Sequence, residues 1–270
     1  MRKAAIAIAL ISASAAGAAP CITSQGQFGA YKQALRQEAA AAGIGPSGLQ
    51  ALDAAQLSGI TWRFESDPSS QSGTRYRSPE QFLTARFASV NSFVSSAQQR
   101  LNQNRAFFDA IERQYGVPGS ILVSIWGYET SWGGFTGDTP IVGGAVTLAS
   151  YCRRHPRFED DALAALQLVD QGVITGNSRG GPSGELGHMQ FLAGNWVRFG
   201  VDANGDGRRD PNNVADALAT AANMLRANGW RAGQPYSEGT ANFGVLSAWN
   251  DSGNYQRAIA YAAGLIDGGS

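Results

Sequence analysis

The sequence predicts a mainly α-helical chain, α+β at most. Three observations carry that prediction. Apolar residues recur at helical spacing along most of the 270 residues. The periodic stretches start at Ser, Pro or Asn and stop at Gly. No series of alternating strands, internal repeat or low-complexity tract interrupts them.

At the amino terminus Arg2 and Lys3 precede an apolar run from Ala4 to about Ile11, and small residues follow to Gly17-Ala18-Ala19. This reads as a secretory signal over residues 1–19 with an A-x-A-like cleavage region, too short to span a bilayer. Cleavage near Ala18 or Ala19 leaves Cys21 close to the new terminus. Pro20 stands where a lipoprotein signal wants a small residue, so a soluble exported protein is expected, with no membrane span. Losing Arg2 and Lys3 takes the 21 basic residues to 19 against 21 acidic ones, a net charge of −2. That balance argues against nucleic acid as a partner. Only 16% of residues are charged, which suits an uncharged or zwitterionic polymer as substrate. Cys21 and Cys152 are the two cysteines, and an even count in an exported chain points to a disulfide, with two unpaired thiols as the alternative.

The expected helices follow in order. Phe28 to about Ala42 is Ala-rich, with Phe28, Tyr31, Leu35 and Ala39 on one face. A short helix runs near Ser47 to Leu57. Residues 65–79 form a polar loop, either a surface connection or a groove wall. Ser78-Pro79-Glu80 opens a long pattern through Val94, and Leu101 to Tyr115 forms another, ending at Gly116. The stretch ending A-V-T-L-A-S-Y-C-R-R predicts a helix carrying Cys152. Phe158 to Gln171, Asp216 to about Gly229 and Asn254 to about Ile266 complete the set. A glycine-dense loop, Gly176 to Gly187, separates two of these helices; packing turn is its plain reading, although glycines also let backbone approach a ligand.

One helix carries an anomaly. In residues 117–133, V-P-G-S-I-L-V-S-I-W-G-Y-E-T-S-W-G, Pro118 suits a first helical turn. Ile121, Ile125 and Glu129 then fall four apart on one face. Glu is rarely buried without a partner. Trp126, Tyr128 and Trp132 supply apolar surface that would raise a carboxyl pKa and keep it protonated as a proton donor. The alternative is a helix-end Glu pointing into solvent. Only His155 and His188 exist, and neither has a nucleophile-elbow or metalloprotease context.

Four motifs follow in order: W-G-Y-E-T-S-W-G at 126–133, G-E-L-G-H-M-Q-F at 184–191, N-G-W-R-A-G-Q-P-Y at 228–236 and A-W-N-D-S at 248–252. Together they resemble the lytic transglycosylase B family of periplasmic murein-cleaving enzymes. The resemblance covers roughly residues 26–267. It implies a lysozyme-like catalytic core (116–270) behind a helical N-terminal part (20–115), or one continuous domain over 20–270. It implies Glu129 as a single acid/base cleaving the MurNAc–GlcNAc β-1,4 bond with formation of 1,6-anhydro-MurNAc, with no cofactor required for the chemistry. Gln190 and Asn250 become groove residues, joined by Ser183, Tyr128 and Trp249 as candidate substrate contacts. The family usually has a serine nine residues before the glutamine; Gly181 stands there, with Ser183 close by. Trp249 replaces a tyrosine. Peptidoglycan glycan strands are the implied partner, in the periplasm, and cell-wall machinery partners are left open. A lysozyme-like muramidase that hydrolyses the bond, or a non-catalytic glycan-binding protein, are the alternatives.

Asp202, Asn204 and Asp206 occupy positions 1, 3 and 5 of an EF-hand-like loop with Gly207 at 6, but Asn213 stands at 12 where a bidentate Glu is usual. The resemblance implies a lengthened loop closed by Asp216, with the Arg208 carbonyl as a further ligand. A structural Ca2+ is expected there, Na+ being the alternative ion. The plain alternative is an Asx-rich turn without metal.

Overall fold

The computed structural model describes residues 19–67, 69 and 76–268. The expected signal over 1–19 lies outside them except for Ala19, and so does most of the polar loop.

Thirteen α-helices occur among the described residues. The N-terminal set comprises α1 (Phe28–Ala41), α2 (Pro46–Ala54), α3 (Gly59–Ser66), α4 (Pro79–Thr84), α5 (Val90–Gln103) and α6 (Arg105–Tyr115). The predicted long pattern from Ser78 divides in two, because Ser89 forms its own capping box with Ser92 and starts α5 afresh. The next break falls at Asn104, whose non-helical backbone separates α5 from α6. α3 was not anticipated: it buries Thr61, Trp62 and Glu65 while Ile60 and Phe64 are exposed, which inverts the usual apolar stripe.

Two helices are apolar on all sides and lie at the centre, as such helices must. These are α7 (Gly119–Thr130) and α8 (Ile141–Ser150), which are buried along nearly their whole length. Between them, β1 (Thr139–Pro140) faces β2 (Arg179–Gly180) as a two-residue antiparallel ribbon, with Thr139 opposite Gly180. α9 (Glu159–Asp170) packs on α2 and α8; α10 (Ala193–Phe199), α11 (Val214–Ala227), α12 (Ala241–Val245) and α13 (Gly253–Ile266) complete the chain. α13 lies against α4, α5 and α7. One contiguous core runs from Tyr31 and Leu35 through Phe93, Ile121, Ile125 and Val146 to Leu225 and Ile259.

Cys152 falls outside α8, contrary to expectation. Tyr151 is extended and pairs in parallel with Ile22, which ends the helix at Ser150. The disulfide itself is present: Cys21 and Cys152 are bonded, with Cα atoms 4.7 Å apart.

Candidate active site

α7 delivers Glu129 to a groove of about 810 Å³. The helix stops one residue after Glu129, at Thr130, because Ser131 and Trp132 both take left-handed backbone (φ 52° and 58°), uncommon for side-chain-bearing residues. Ile121 and Ile125 on the same face are fully buried, while Glu129 keeps one edge open to the groove. Tyr255 of α13 donates its hydroxyl to Glu129 Oε1 at 2.6 Å, and Trp249 donates Nε1–H to the same oxygen at 3.1 Å. Burial pushes the carboxyl pKa above its ordinary 4.5; those two donors and Arg86 oppose the rise, and repulsion from Glu185 adds to it.

The groove gathers most of the sequence candidates: Ser183, Gln190, Trp249 and Asn250 line it together with Glu129. Gln190 is held in left-handed backbone (φ 51°), a strained conformation of the kind that clusters at functional sites. Its amide Nε2 donates to the carbonyls of Thr136 (3.0 Å) and Gly187 (2.9 Å), which leaves Oε1 as the acceptor. Asn250 is exposed, and its Oδ1 accepts from Ser252 N at 2.9 Å. Tyr128 stands behind the groove wall: it stacks on Phe82 (centroids 4.6 Å apart), meets Tyr255 edge-on, and carries the Arg86 guanidinium over its face at 4.7 Å. Arg86 also donates to the Tyr128 carbonyl.

Three features of the groove were missed in the sequence. Tyr255 sat unremarked in the last helix. Glu185 is a second carboxyl lining the groove, and burial raises its pKa. Its Oε2 accepts from Ser183 N at 2.7 Å. Any Cβ at Gly181 would stand 2.3 Å from that oxygen and 2.5 Å from Gln190 Oε1, so Glu185 fills the space a side chain at 181 would need. The third feature is an arginine wall: Arg153 and Arg154 both bind the buried carboxylate of Glu65, and Arg157 meets Asp251 at 3.1 Å. His188 serves the frame: it accepts from Trp126 Nε1 at 3.3 Å, and burial holds its pKa down.

The metal-loop candidates lie away from this groove. Asp202 accepts from the N–H groups of Gly205 (2.7 Å) and Gly207 (2.8 Å), and Asp206 accepts from Arg208 N at 2.8 Å. Asn204 Nδ2 donates to Asp206 Oδ2 at 2.9 Å. Asp216 is fully buried and closes the loop by accepting from Ala203 N (2.8 Å) and Asp210 N (2.9 Å). Among the described residues no group of three or more His, Cys, Asp or Glu side chains is gathered as a cage; the three aspartates engage backbone amides instead of crowding together. A carboxylate has about four acceptor sites, so each retains capacity. The donor set is all hard oxygen, which fits a hard cation.

A helical frame that delivers a buried Glu at a helix end to an open groove is the architecture of a lysozyme-like core with additional N-terminal helices. The chain belongs to the transglycosylase SLT domain family, which matches residues 27–240. It is 32% identical over 165 residues to the membrane-bound lytic murein transglycosylase B of Escherichia coli (strain K12), covering 60% of this chain and 44% of that protein. The chain thus aligns with less than half of that relative's length. Its fold is similar to that of SltB3 from Pseudomonas aeruginosa, solved in complex with NAG-NAM-pentapeptide (TM-score 0.77, 23% identity, 90% of this chain and 80% of that one). It is also similar to Escherichia coli Slt35, solved in complex with calcium (TM-score 0.72, 20% identity, 87% and 92%).

Proposed function

We propose that the protein is a peptidoglycan lytic transglycosylase with Glu129 as its single acid/base. The observation that carries this reading is the Glu129 carboxyl itself: raised by burial, open to the groove, with Tyr255 and Trp249 both donating to Oε1. The proton then resides on Oε2. Glu129 gives it to the oxygen joining N-acetylmuramic acid to N-acetylglucosamine, and the C1–O bond breaks. The carboxylate so formed is stabilised by its two donors and takes the proton of the muramyl 6-hydroxyl as O6 bonds to C1. The product is a 1,6-anhydromuramyl sugar, and no water is consumed. Gln190, Ser183, Trp249 and Asn250 contact the glycan, and Tyr128 supports Tyr255 and Arg86 from behind.

A signal over residues 1–19 directs export to the periplasm and is removed by cleavage near Ala18 or Ala19. No helix among the described residues is long and apolar enough to cross a membrane. Residues 20–270 act as one continuous unit, since α4 and α5 pack on α13 and α5 also on α7, the two helices that carry Tyr255 and Glu129. Calcium, or sodium in its place, is held by Asp202, Asn204, Asp206, the Arg208 carbonyl and Asp216, and it stabilises the loop without entering the chemistry. Glu129→Gln tests the main reading: peptidoglycan clearing is lost while circular dichroism is unchanged. Near-normal clearing by that variant ends this account.

A further inference from the structure

A second buried cluster joins residues of α1 to the start of α9. Tyr31 is fully buried, Glu159 is 7% exposed, and Glu38 is half-buried on the same helix as Tyr31. Tyr31 Oη, Glu38 Oε1 and Glu159 Oε1 have no hydrogen-bond partner. The three groups feel one another: burial, the Glu159 charge and a hydrogen bond between the two carboxyls raise the Glu38 pKa, and burial followed by both carboxylates raises the Tyr31 phenol. The two carboxyls share a proton while no cation is near, and a positive donor beside them would let both ionise.

The backbone N–H of Ala19, a fully buried residue, hydrogen-bonds to the Glu38 carboxyl. The chain just beyond Ala19 is fixed. Cys21 is tied to Cys152, Ile22 N donates to Ser150 O at 2.8 Å, and Cys152 N donates to Ile22 O at 3.3 Å. Ala16-Gly17-Ala18 immediately before Ala19 is the A-x-A pattern of a signal-peptidase site.

We propose that cleavage after Ala18 creates an α-ammonium at Ala19 that docks into this cluster and locks the mature fold. The inference rests on the export reading above. A signal peptidase hydrolyses the Ala18–Ala19 amide: the C–N bond breaks, water supplies the hydroxyl of the departing carboxylate, and the freed amine takes up protons to become –NH3+. An ammonium has three donors, and the cluster offers three unpartnered oxygens, on Glu38, Glu159 and Tyr31. Before cleavage Ala19 presents one neutral amide hydrogen to Glu38; afterwards it presents a positive charge to the carboxyl pair. The disulfide two residues downstream keeps the new terminus in place, so docking costs little further ordering.

The test uses protein recovered from the periplasm. Terminal sequencing and intact mass are expected to give Ala19 as the first residue. Its α-amine should react with an amine-selective ester at least about tenfold more slowly in the native protein than in denaturant, since each unit of raised pKa is a factor of ten in free amine. A variant retaining Gly-Ser ahead of Ala19 should melt lower. Glu159→Gln should lower the melting temperature of the mature protein and leave unchanged or raise that of the extended one, where the second carboxylate lacks its cation. A chain still beginning at Met1 defeats the export reading and the lock together. A first residue other than Ala19, with the leader removed, overturns the lock alone. So does an Ala19 amine that labels as fast as in denaturant, or an extension without effect on melting. If Glu159→Gln does not fold, the labelling rate on the unmutated protein decides.

Discussion

Replacing Tyr255 by Phe removes one oxygen atom and little else, because the ring stays packed against Tyr128 and Phe82. The lost hydroxyl is the shorter of the two donors on Glu129 Oε1, at 2.6 Å against 3.1 Å for Trp249. That bond matters most once Glu129 has given up its proton and become a carboxylate. A hydrogen bond to a charged group contributes about 1.5–3 kcal/mol. Its loss should therefore lower kcat about tenfold to a hundredfold, at about 1.4 kcal/mol per decade. The pH profile supplies an independent sign. The Tyr255 donor lowers the Glu129 pKa, so removing it leaves the burial effect less opposed. Glu129 then stays protonated to higher pH, and the alkaline limb of the rate profile moves up. Initial rates on soluble glycan fragments across a pH series measure both. A Phe variant within twofold of wild-type kcat, or an alkaline limb moved down, refutes this role for Tyr255.

Glu185→Gln should shift that limb in the opposite direction, because it removes the repulsion that helps raise the Glu129 pKa; the same series reads it. Glu129→Gln should alter how stability depends on pH. The folded chain binds the Glu129 proton more tightly than the unfolded chain, whose carboxyl titrates near 4.5. That stabilisation is complete below pH 4.5 and is lost as pH rises through the higher folded-state value, so the Gln variant's melting temperature should gain on wild type between those two values and hold the gain above them. Parallel melting curves across pH would contradict it. Millimolar calcium should raise the melting temperature of metal-free protein, by the equivalent of about 2.7 kcal/mol at a hundredfold excess over Kd. Asp206→Ala should erase the rise, and an unchanged wild-type curve would leave only a polar turn.

Glu129 was legible because its neighbours four and eight residues back, Ile125 and Ile121, mark a buried face, and helix periodicity fixes where the third member of a stripe points. Tyr255 was not, since its contact with Glu129 spans 126 residues of sequence and nothing local distinguishes it from any aromatic on a helix. Glu185 was hidden for another reason. It lies in a glycine-rich loop, where side-chain direction depends on backbone torsions rather than on a period. Its place beside Gln190 depends on the bare Cα of Gly181. α3 went unread because its apolar residues do not mark its buried face: Ile60 and Phe64 point outward while Glu65 turns inward onto two arginines, so polar partners in the fold set its orientation.

The central claim is that the bond is broken without water, and product analysis addresses it directly. Purified peptidoglycan digested by the mature enzyme in isotopically heavy water and resolved by mass spectrometry should yield 1,6-anhydromuramyl ends carrying no solvent oxygen. Reducing ends one water heavier, with the heavy oxygen incorporated, would identify a hydrolase and contradict the account.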